Sequence, residues 1–236
     1  MPKTLVITPV KDSIATTLQT IEAIHQADGD HLHLVYNDFS TAESKAILEK
    51  KKAEFDFELI NLEEITQTPS PNYNLVLQLA QKKALELGIP LIIIESDVII
   101  QKDTLNKMYE LSLSQTNCGM LGAITTDESG EVNFPYLNFK GEKKEIADTS
   151  HSLSFCCTLL TQELLKGFSF EELSSEKHWY DVFISRKSKL LGFKNYLVTN
   201  LPVVHKPHSS RPWKQLKYTN PIKYYFNKLI KRKDRI

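Results

Sequence analysis

Carboxylates that could do chemistry stand at three places in this 236-residue chain. Glu95-Ser96-Asp97 follows Leu91-Ile92-Ile93-Ile94, a run that reads as a strand buried on both faces. Acid-x-acid spacing also occurs at Asp28/Asp30, Glu54/Asp56 and Asp56/Glu58, but only Glu95/Asp97 closes such a strand. Two carboxylates there can share a hard cation such as Mg2+ or Mn2+, which bridges a diphosphate and takes up leaving-group charge. The plainer alternative is that they cap the next helix. Asp38, in Tyr36-Asn37-Asp38-Phe39-Ser40, can accept hydrogen bonds from a ribose or a base, or cap the helix from Thr41. Asp181, in His178-Trp179-Tyr180-Asp181-Val182, has aromatic neighbours that can raise its pKa and suit it to general-base work. Its alternative is a surface acid paired with Ser185 or Arg186. His205 closes the last strand and offers an imidazole to a metal, or simply polar surface. Cys156 and Cys157 are adjacent in an apolar strand, point to opposite faces and read as core.

The elements that must position these groups alternate. Leu5-Val6-Ile7 is a strand signal closed by Thr8-Pro9. Asp12-Ser13 offers an N-cap to a helix carrying Ile14, Leu18, Ile21 and Ile24, ended by Asp28-Gly29-Asp30. Leu32, Leu34 and Val35 form a second strand, Thr41 to Lys52 a helix, and Phe55, Phe57 and Leu59 alternate as a third strand. Leu75 to Leu87 is a helix stopped by Gly88, Pro90 to Ile94 a fourth strand, and Asp103 caps a helix through Leu113. Strand and helix alternating through short linkers imply an α/β fold, a mostly parallel central sheet with helices on both faces. Ligands bind such sheets outside the carboxyl ends of the strands, here Thr8-Pro9, Asn37-Asp38 and Glu95-Ser96-Asp97. In the second half, Gly119 to Ile124 and Ser154 to Leu160 read as strands and residues 130–155 as short strands and loops. A helix lies within Leu173 to Leu191, ended by Gly192, and Tyr196 to Val204 is the last strand.

Composition narrows the class. Apolar residues are 41% and charged residues 25%, as in globular proteins, which excludes collagen-like, disordered and multi-span membrane chains. Three cysteines give neither a disulfide framework nor a four-sulfur zinc site, and fit a reducing compartment. No apolar run approaches the roughly 20 residues of a membrane span, and Leu5-Val6-Ile7 is too short for a signal-peptide core. The expectation is a soluble or peripheral cytoplasmic protein. Formal net charge is zero, with 29 basic and 29 acidic residues, which excludes a chain basic throughout, such as a nucleic-acid coat. The neutrality is a cancellation. From Lys206 onward there are ten basic residues and one acid, net +9; the first 205 residues hold 19 basic and 28 acidic, net −9.

Order and spacing together resemble the GT-A fold glycosyltransferases of family 2, over nearly the whole chain to His205. The likeness rests on Val6-Ile7-Thr8-Pro9-Val10 at the first strand, Asn37-Asp38-Phe39-Ser40 after the second, and Asn72-Tyr73-Asn74 opening the helix before the acid motif. It continues with Ile92-Ile93-Ile94-Glu95-Ser96-Asp97, Gly167-Phe168-Ser169-Phe170-Glu171-Glu172, Tyr180-Asp181 followed by Gly192-Phe193, and Val203-Val204-His205. The chain departs from the family pattern where Glu95 replaces the first Asp of Asp-x-Asp, Tyr180 the first acid of the late pair, and Phe183 a second Asp.

The resemblance implies an inverting transfer from a nucleotide-diphosphate sugar to a hydroxyl acceptor. Asp38 and the backbone of Thr8, Pro9 and Val10 would hold the nucleoside, with Asn74, Glu95 and Ser96 lining the donor site. Asp97, with Glu95 and His205, would bind a divalent metal, Mn2+ or Mg2+. Asp181 would be the catalytic base. The expected organisation is a GT-A domain over 1–205 and a basic, aromatic, helical extension over 206–236. Trp213, Tyr218, Tyr224, Tyr225 and Phe226 interleave with lysines in that extension, so residues 212–236 suit an anionic membrane surface, or pack as a plain C-terminal helix. This points to a glycan or lipid-linked acceptor in cell-surface polysaccharide or lipopolysaccharide assembly at the inner face of the cytoplasmic membrane, with no nucleic-acid partner. Two alternatives stay open. One is a sugar nucleotidyltransferase, although Thr8 to Ser13 lacks the glycine of a phosphate loop; the other is a non-catalytic binding protein of the same fold.

Overall fold

The computed structural model describes residues 1–174 and 179–206. The extension expected over 206–236 lies, beyond Lys206, outside the described residues. The first half forms β1 (Thr4–Val10), α1 (Ile14–His25), β2 (His31–Asn37), α2 (Ala42–Lys51), β3 (Glu58–Asn61), α3 (Tyr73–Leu87) and β4 (Leu91–Ile94). The second half adds β5 (Val98–Ile99), α4 (Thr104–Ser114), β6 (Cys118–Thr126), β7 (Ile146–Asp148), β8 (Cys157–Leu160), α5 (Gln162–Gly167), α6 (Tyr180–Leu190) and β9 (Lys194–His205).

Among the described residues these strands make one nine-stranded sheet in the order β3-β2-β1-β4-β8-β6-β9-β5, with β7 against β9. β3, β2, β1 and β4 are parallel to one another, β8 is antiparallel to both β4 and β6, and β9 is parallel to β6. β5 and β7 run against β9. Six strands therefore share a direction, which is the mostly parallel sheet expected, with β8 reversed at its centre.

Residue parity along the strands separates the two layers. Leu5, Ile7, Leu91 and Ile93 pack with Val76, Leu77 and Ala80 of α3, Leu164 of α5 and Ile184 of α6. Val6, Ile92 and Ile94 turn to the opposite face, against Ile24 of α1 and Met108 of α4. Burying each such side chain contributes about 1.5–3 kcal/mol against the entropy of ordering the chain. That explains why β1 and β4 are continuously apolar rather than alternating.

β1 continues through Pro9, which had read as its stop. The Leu5 N–H bonds the Pro90 carbonyl on the β4 side, so by parity the missing Pro9 N–H also points there, where pairing with β4 has ended at Ile7/Ile93. Other expectations shift too. Phe55 and Phe57 are not in a strand: the Phe57 N–H bonds the Lys52 carbonyl in a turn, and pairing with β2 begins at Glu58. Both rings are used for packing on Val35 and Leu48, which gave them a strand-like spacing. Asp103 precedes α4 without a side-chain cap. Ser13 precedes α1 likewise, and both Asp12 and Ser13 have left-handed backbone (φ 55° and 51°), which costs a non-glycine about 1–3 kcal/mol each. In return, the Asp12 carboxylate accepts from the Thr41 N–H at 2.8 Å and its own N–H donates to Ser40 Oγ at 2.9 Å. The turns at the carboxyl ends of β1 and β2 are thus tied together.

Candidate active site

The chain leaves β4 at Ile94 and turns through Glu95-Ser96-Asp97 into β5. The Glu95 N–H donates to the Cys156 carbonyl at 3.1 Å, the Val98 N–H to the Glu95 carbonyl at 3.1 Å, and the Lys206 N–H to the Asp97 carbonyl at 2.8 Å. Pairing of β5 with β9 sets Val98 opposite His205, so the end of the last strand arrives beside the turn. Acidic turn, β8 entry and β9 exit therefore meet although β4 and β9 are not neighbours in the sheet.

His205 is 6% exposed and Asp97 7%. Nδ1 of His205 lies 2.7 Å from the Phe134 carbonyl, which can only accept, so Nδ1 carries the proton. Nε2 then faces inward, 3.6 Å from Asp97 Oδ2. Cys156 precedes β8 and is 2% exposed; its thiol donates to Glu95 Oε2 at 3.7 Å. Ligand atoms of Glu95, Cys156 and His205 all lie within 4.8 Å of one another. The core assignment holds for both thiols, which share one buried cluster: Cys157 meets Met108, and the Cys156 sulfur also reaches the Glu95 carboxylate. Burial, then the Glu95 charge, push the Cys156 pKa up. Burial opposes the His205 imidazolium, but the Cys156 sulfur and Asp97 carboxylate outweigh it and push its pKa up.

Asp38 is buried and fully engaged. One carboxylate oxygen accepts from the Ser70 hydroxyl and the Asn72 N–H, both at 2.8 Å, and the other from Asn72 Nδ2 at 2.8 Å. Helix α2 is capped by Thr41 rather than Asp38. Asn72 immediately precedes α3, so Asp38 fixes where that helix starts. The next residue, Tyr73, stacks on Tyr180 (ring centroids 6.0 Å apart, planes 14° apart) and on Phe155 (6.4 Å, 22°). Each ring is next in sequence to a site residue: Tyr73 to Asn72, Tyr180 to Asp181, Phe155 to Cys156. Tyr73 Oη is buried and has no hydrogen-bond partner among the described residues. Burial lifts its pKa well above the ordinary value, and the charges of Glu95, Asp181, Cys156 and Asp97 add to the effect.

Asp181 lies half-buried in the first turn of α6, where its carboxylate accepts from the Val182 N–H at 2.9 Å. One turn on, the Ser185 hydroxyl accepts from the Leu153 N–H at 3.0 Å, tying α6 to the segment that leads into Cys156.

Other expected residues stand differently. Thr8 is fully buried and its hydroxyl pairs with His33 Nε2 at 3.0 Å. Val10 is core, and its carbonyl accepts from the Asp38 N–H at 2.8 Å. Pro9 and Ser96 are half-buried at the strand ends. Asn74 donates to the Leu173 carbonyl at 3.2 Å, holding α3 to the segment before α6. Cys156 and Tyr73 are the site residues that sequence reasoning missed. Their signals were a pair of neighbouring thiols at a strand entry and an aromatic at a helix start between two asparagines.

Glu95, His205 and Cys156 form a mixed oxygen, nitrogen and sulfur donor set with an oriented imidazole, which fits a divalent cation, and Asp97 lies 3.6 Å from that imidazole. Bond lengths of roughly 2.0–2.3 Å put ligands about 3.3–3.8 Å apart, so small side-chain rotations close the set.

The family described as Glycosyl transferase family 2 matches residues 5–168. No curated protein matches the chain. Among solved structures, the chain is similar to the mannosyltransferase PcManGT from Pyrobaculum calidifontis in complex with GDP-Man and Mn2+. There the TM-score is 0.66 at 16% identity, over 98% of this chain and 64% of that one. It is also similar to S. aureus TarS 1-349 (0.64, 20%, 86% and 60%) and to GalNAc-T7 with UDP, GalNAc and Mn2+ (0.65, 11%, 89% and 45%). Such identities establish a likeness of fold, and the chain spans less than two thirds of these structures.

Proposed function

Because the chain belongs to glycosyl transferase family 2 and has the GT-A fold, we propose that it transfers a sugar, with inversion, from a nucleotide-diphosphate sugar to an acceptor hydroxyl. The observation that carries this reading is the convergence of Glu95, Asp97 and His205 at the end of β4, with Asp181 brought alongside by the stack of its neighbour Tyr180 on Tyr73.

In this reading Asp38 and the backbone of Thr8, Pro9 and Val10 receive the nucleoside, and Ser96 and Asn74 border the donor. A divalent ion, Mn2+ or Mg2+, held by Asp97, Glu95 and His205, supplies positive charge for the diphosphate. The Phe134 carbonyl keeps His205 in the tautomer that presents Nε2. Asp181 takes the proton of the acceptor hydroxyl as its oxygen bonds to the anomeric carbon, and the bond from that carbon to the diphosphate breaks on the opposite side. General-base help of this kind contributes about 10²–10⁴-fold. Tyr180, where the family pattern has an acid, is instead buried against Tyr73 and holds the first turn of α6 in place.

The acceptor in this reading is a glycan or lipid-linked glycan of cell-surface polysaccharide or lipopolysaccharide assembly. Residues 212–236 would meet the inner face of the cytoplasmic membrane. No helix among the described residues is long and apolar enough to cross a membrane. A thermal-shift panel of nucleotide sugars with and without Mn2+, followed by product analysis, tests the reading. The expected result is metal-dependent stabilisation by one donor class, and an Asp181→Asn variant that still binds donor but no longer transfers. Turnover unchanged in that variant would remove Asp181 as the base. Metal-independent binding without any donor breakdown would favour a non-catalytic binding protein.

A further inference from the structure

We propose that Cys156 is a sulfur ligand of the divalent cation at the end of β4, and that it biases this site toward ions that accept sulfur, such as Zn2+ and Co2+, over Mg2+. The proposal rests on reading Glu95, Asp97 and His205 as a metal site.

Three observations carry it. The sulfur is placed by backbone, because the Cys156 carbonyl accepts the Glu95 N–H, fixing β8 entry against the acidic turn. Cys157 meets Met108, and Cys156, in the same buried cluster just before β8, turns its thiol to the acidic turn. There Sγ lies 3.7 Å from Glu95 Oε2, and together with an imidazole nitrogen of His205 completes a set of three different donors within 4.8 Å. The sulfur is also buried, 2% exposed, so water does not compete for it.

The chemistry follows from the donor set. Mg2+ requires near-octahedral oxygen and keeps its waters. Thiolate and imidazole donors select Zn2+, Co2+ and related ions. On ligation the thiol proton passes to solvent and a sulfur–metal bond forms. A serine would fit the same space with a hard oxygen, so cysteine makes a chemical difference here.

Co2+ titrated into the full chain under reducing, anaerobic conditions is the test. The expected spectrum has ligand-field bands in the visible and a thiolate-to-cobalt charge-transfer band in the near ultraviolet. Cys156→Ser and, as a second variant, Cys156→Ala should lose the charge-transfer band and keep visible bands, while Cys157→Ser keeps both. Zn2+ affinity should fall in both Cys156 variants by at least the roughly 10–100-fold that loss of a supporting group costs, with Mg2+ affinity unchanged. Visible bands without charge transfer in the parent protein would overturn the sulfur ligand and leave the metal site standing. A charge-transfer band that survives in both Cys156 variants would also overturn it. Absence of any cobalt spectrum and of any Zn2+ binding would overturn the metal site and the proposal together.

Discussion

The rings of Tyr73 and Tyr180 lie nearly parallel, 14° apart, with centroids 6.0 Å apart. This contact joins the first turn of α3, held by Asp38, to the first turn of α6, which carries Asp181. Stacking adds about 0.5–1.5 kcal/mol beyond area burial, enough to keep two helix starts in register across the site.

Tyr73→Phe separates the ring from its hydroxyl. The ring stack survives, and a buried hydroxyl with no partner among the described residues is removed. Thermal stability of the unliganded protein should stay the same or rise slightly, because an unsatisfied buried polar group costs about 1–3 kcal/mol. Donor affinity or turnover should fall about tenfold if the hydroxyl meets the substrate. Unchanged kinetics would confine Tyr73 to packing.

Asp38 and Asn72 separate binding from scaffolding. Asp38→Ala strips three hydrogen bonds from the Ser70–Asn72 loop, and chemical denaturation should show a loss of about 1–3 kcal/mol together with weaker nucleotide binding. Asn72→Ala removes the two side-chain bonds, to Asp38 and to the Thr68 carbonyl, keeps the backbone bond, and should cost about 1–3 kcal/mol with nucleotide affinity nearly intact. Equal loss of nucleotide affinity in both would mean that Asp38 acts only by placing α3.

Asp97→Ala should abolish the metal-dependent part of donor binding and spare the metal-independent part. Calorimetry with nucleotide diphosphate, with and without Mn2+, reads the difference. The same enhancement by Mn2+ in variant and parent would exclude Asp97 as a ligand.

His33, which pairs with the Thr8 hydroxyl, gives the fold an acid-sensitive point. Burial, aided by His31, pushes its pKa down to about 3. The unfolded chain takes up a proton near pH 6.5 and the folded protein does not. The stabilisation is therefore complete above about pH 6.5 and is lost as pH falls toward about 3, at up to about 1.4 kcal/mol per pH unit. Urea unfolding from pH 7 to 5 should show that slope, and His33→Gln should flatten it. An equal slope in the variant would assign the acid sensitivity to other groups.

The strand Leu91–Ile94 and its acidic end were legible because an apolar run stopped by carboxylates has few other uses, and His205 because it closes the last β-rich run. The family pattern added Asp38 and Asp181. The contact of Cys156 with Glu95 was not legible, because it depends on the pairing of β8 with β4, residues more than 60 apart in the chain. The reversed β8 was hidden for the same reason, since strand direction is a property of the partner. Phe55 and Phe57 misled because a turn that buries two rings has the same alternation as a strand.

The meeting of β4, β8 and β9 also bears on how the protein is made. Glu95, Cys156 and His205 come together only after the chain has closed loops of about sixty and fifty residues around a β8 that runs against its neighbours. Such long-range pairings raise the contact order and slow folding. A chain whose 194–205 strand has not docked lacks His205 and hence the whole donor set. In the proposed function, bound metal and nucleotide would then select the completed fold over every partly assembled one, and each would raise the stability of the last-formed strand along with that of the rest.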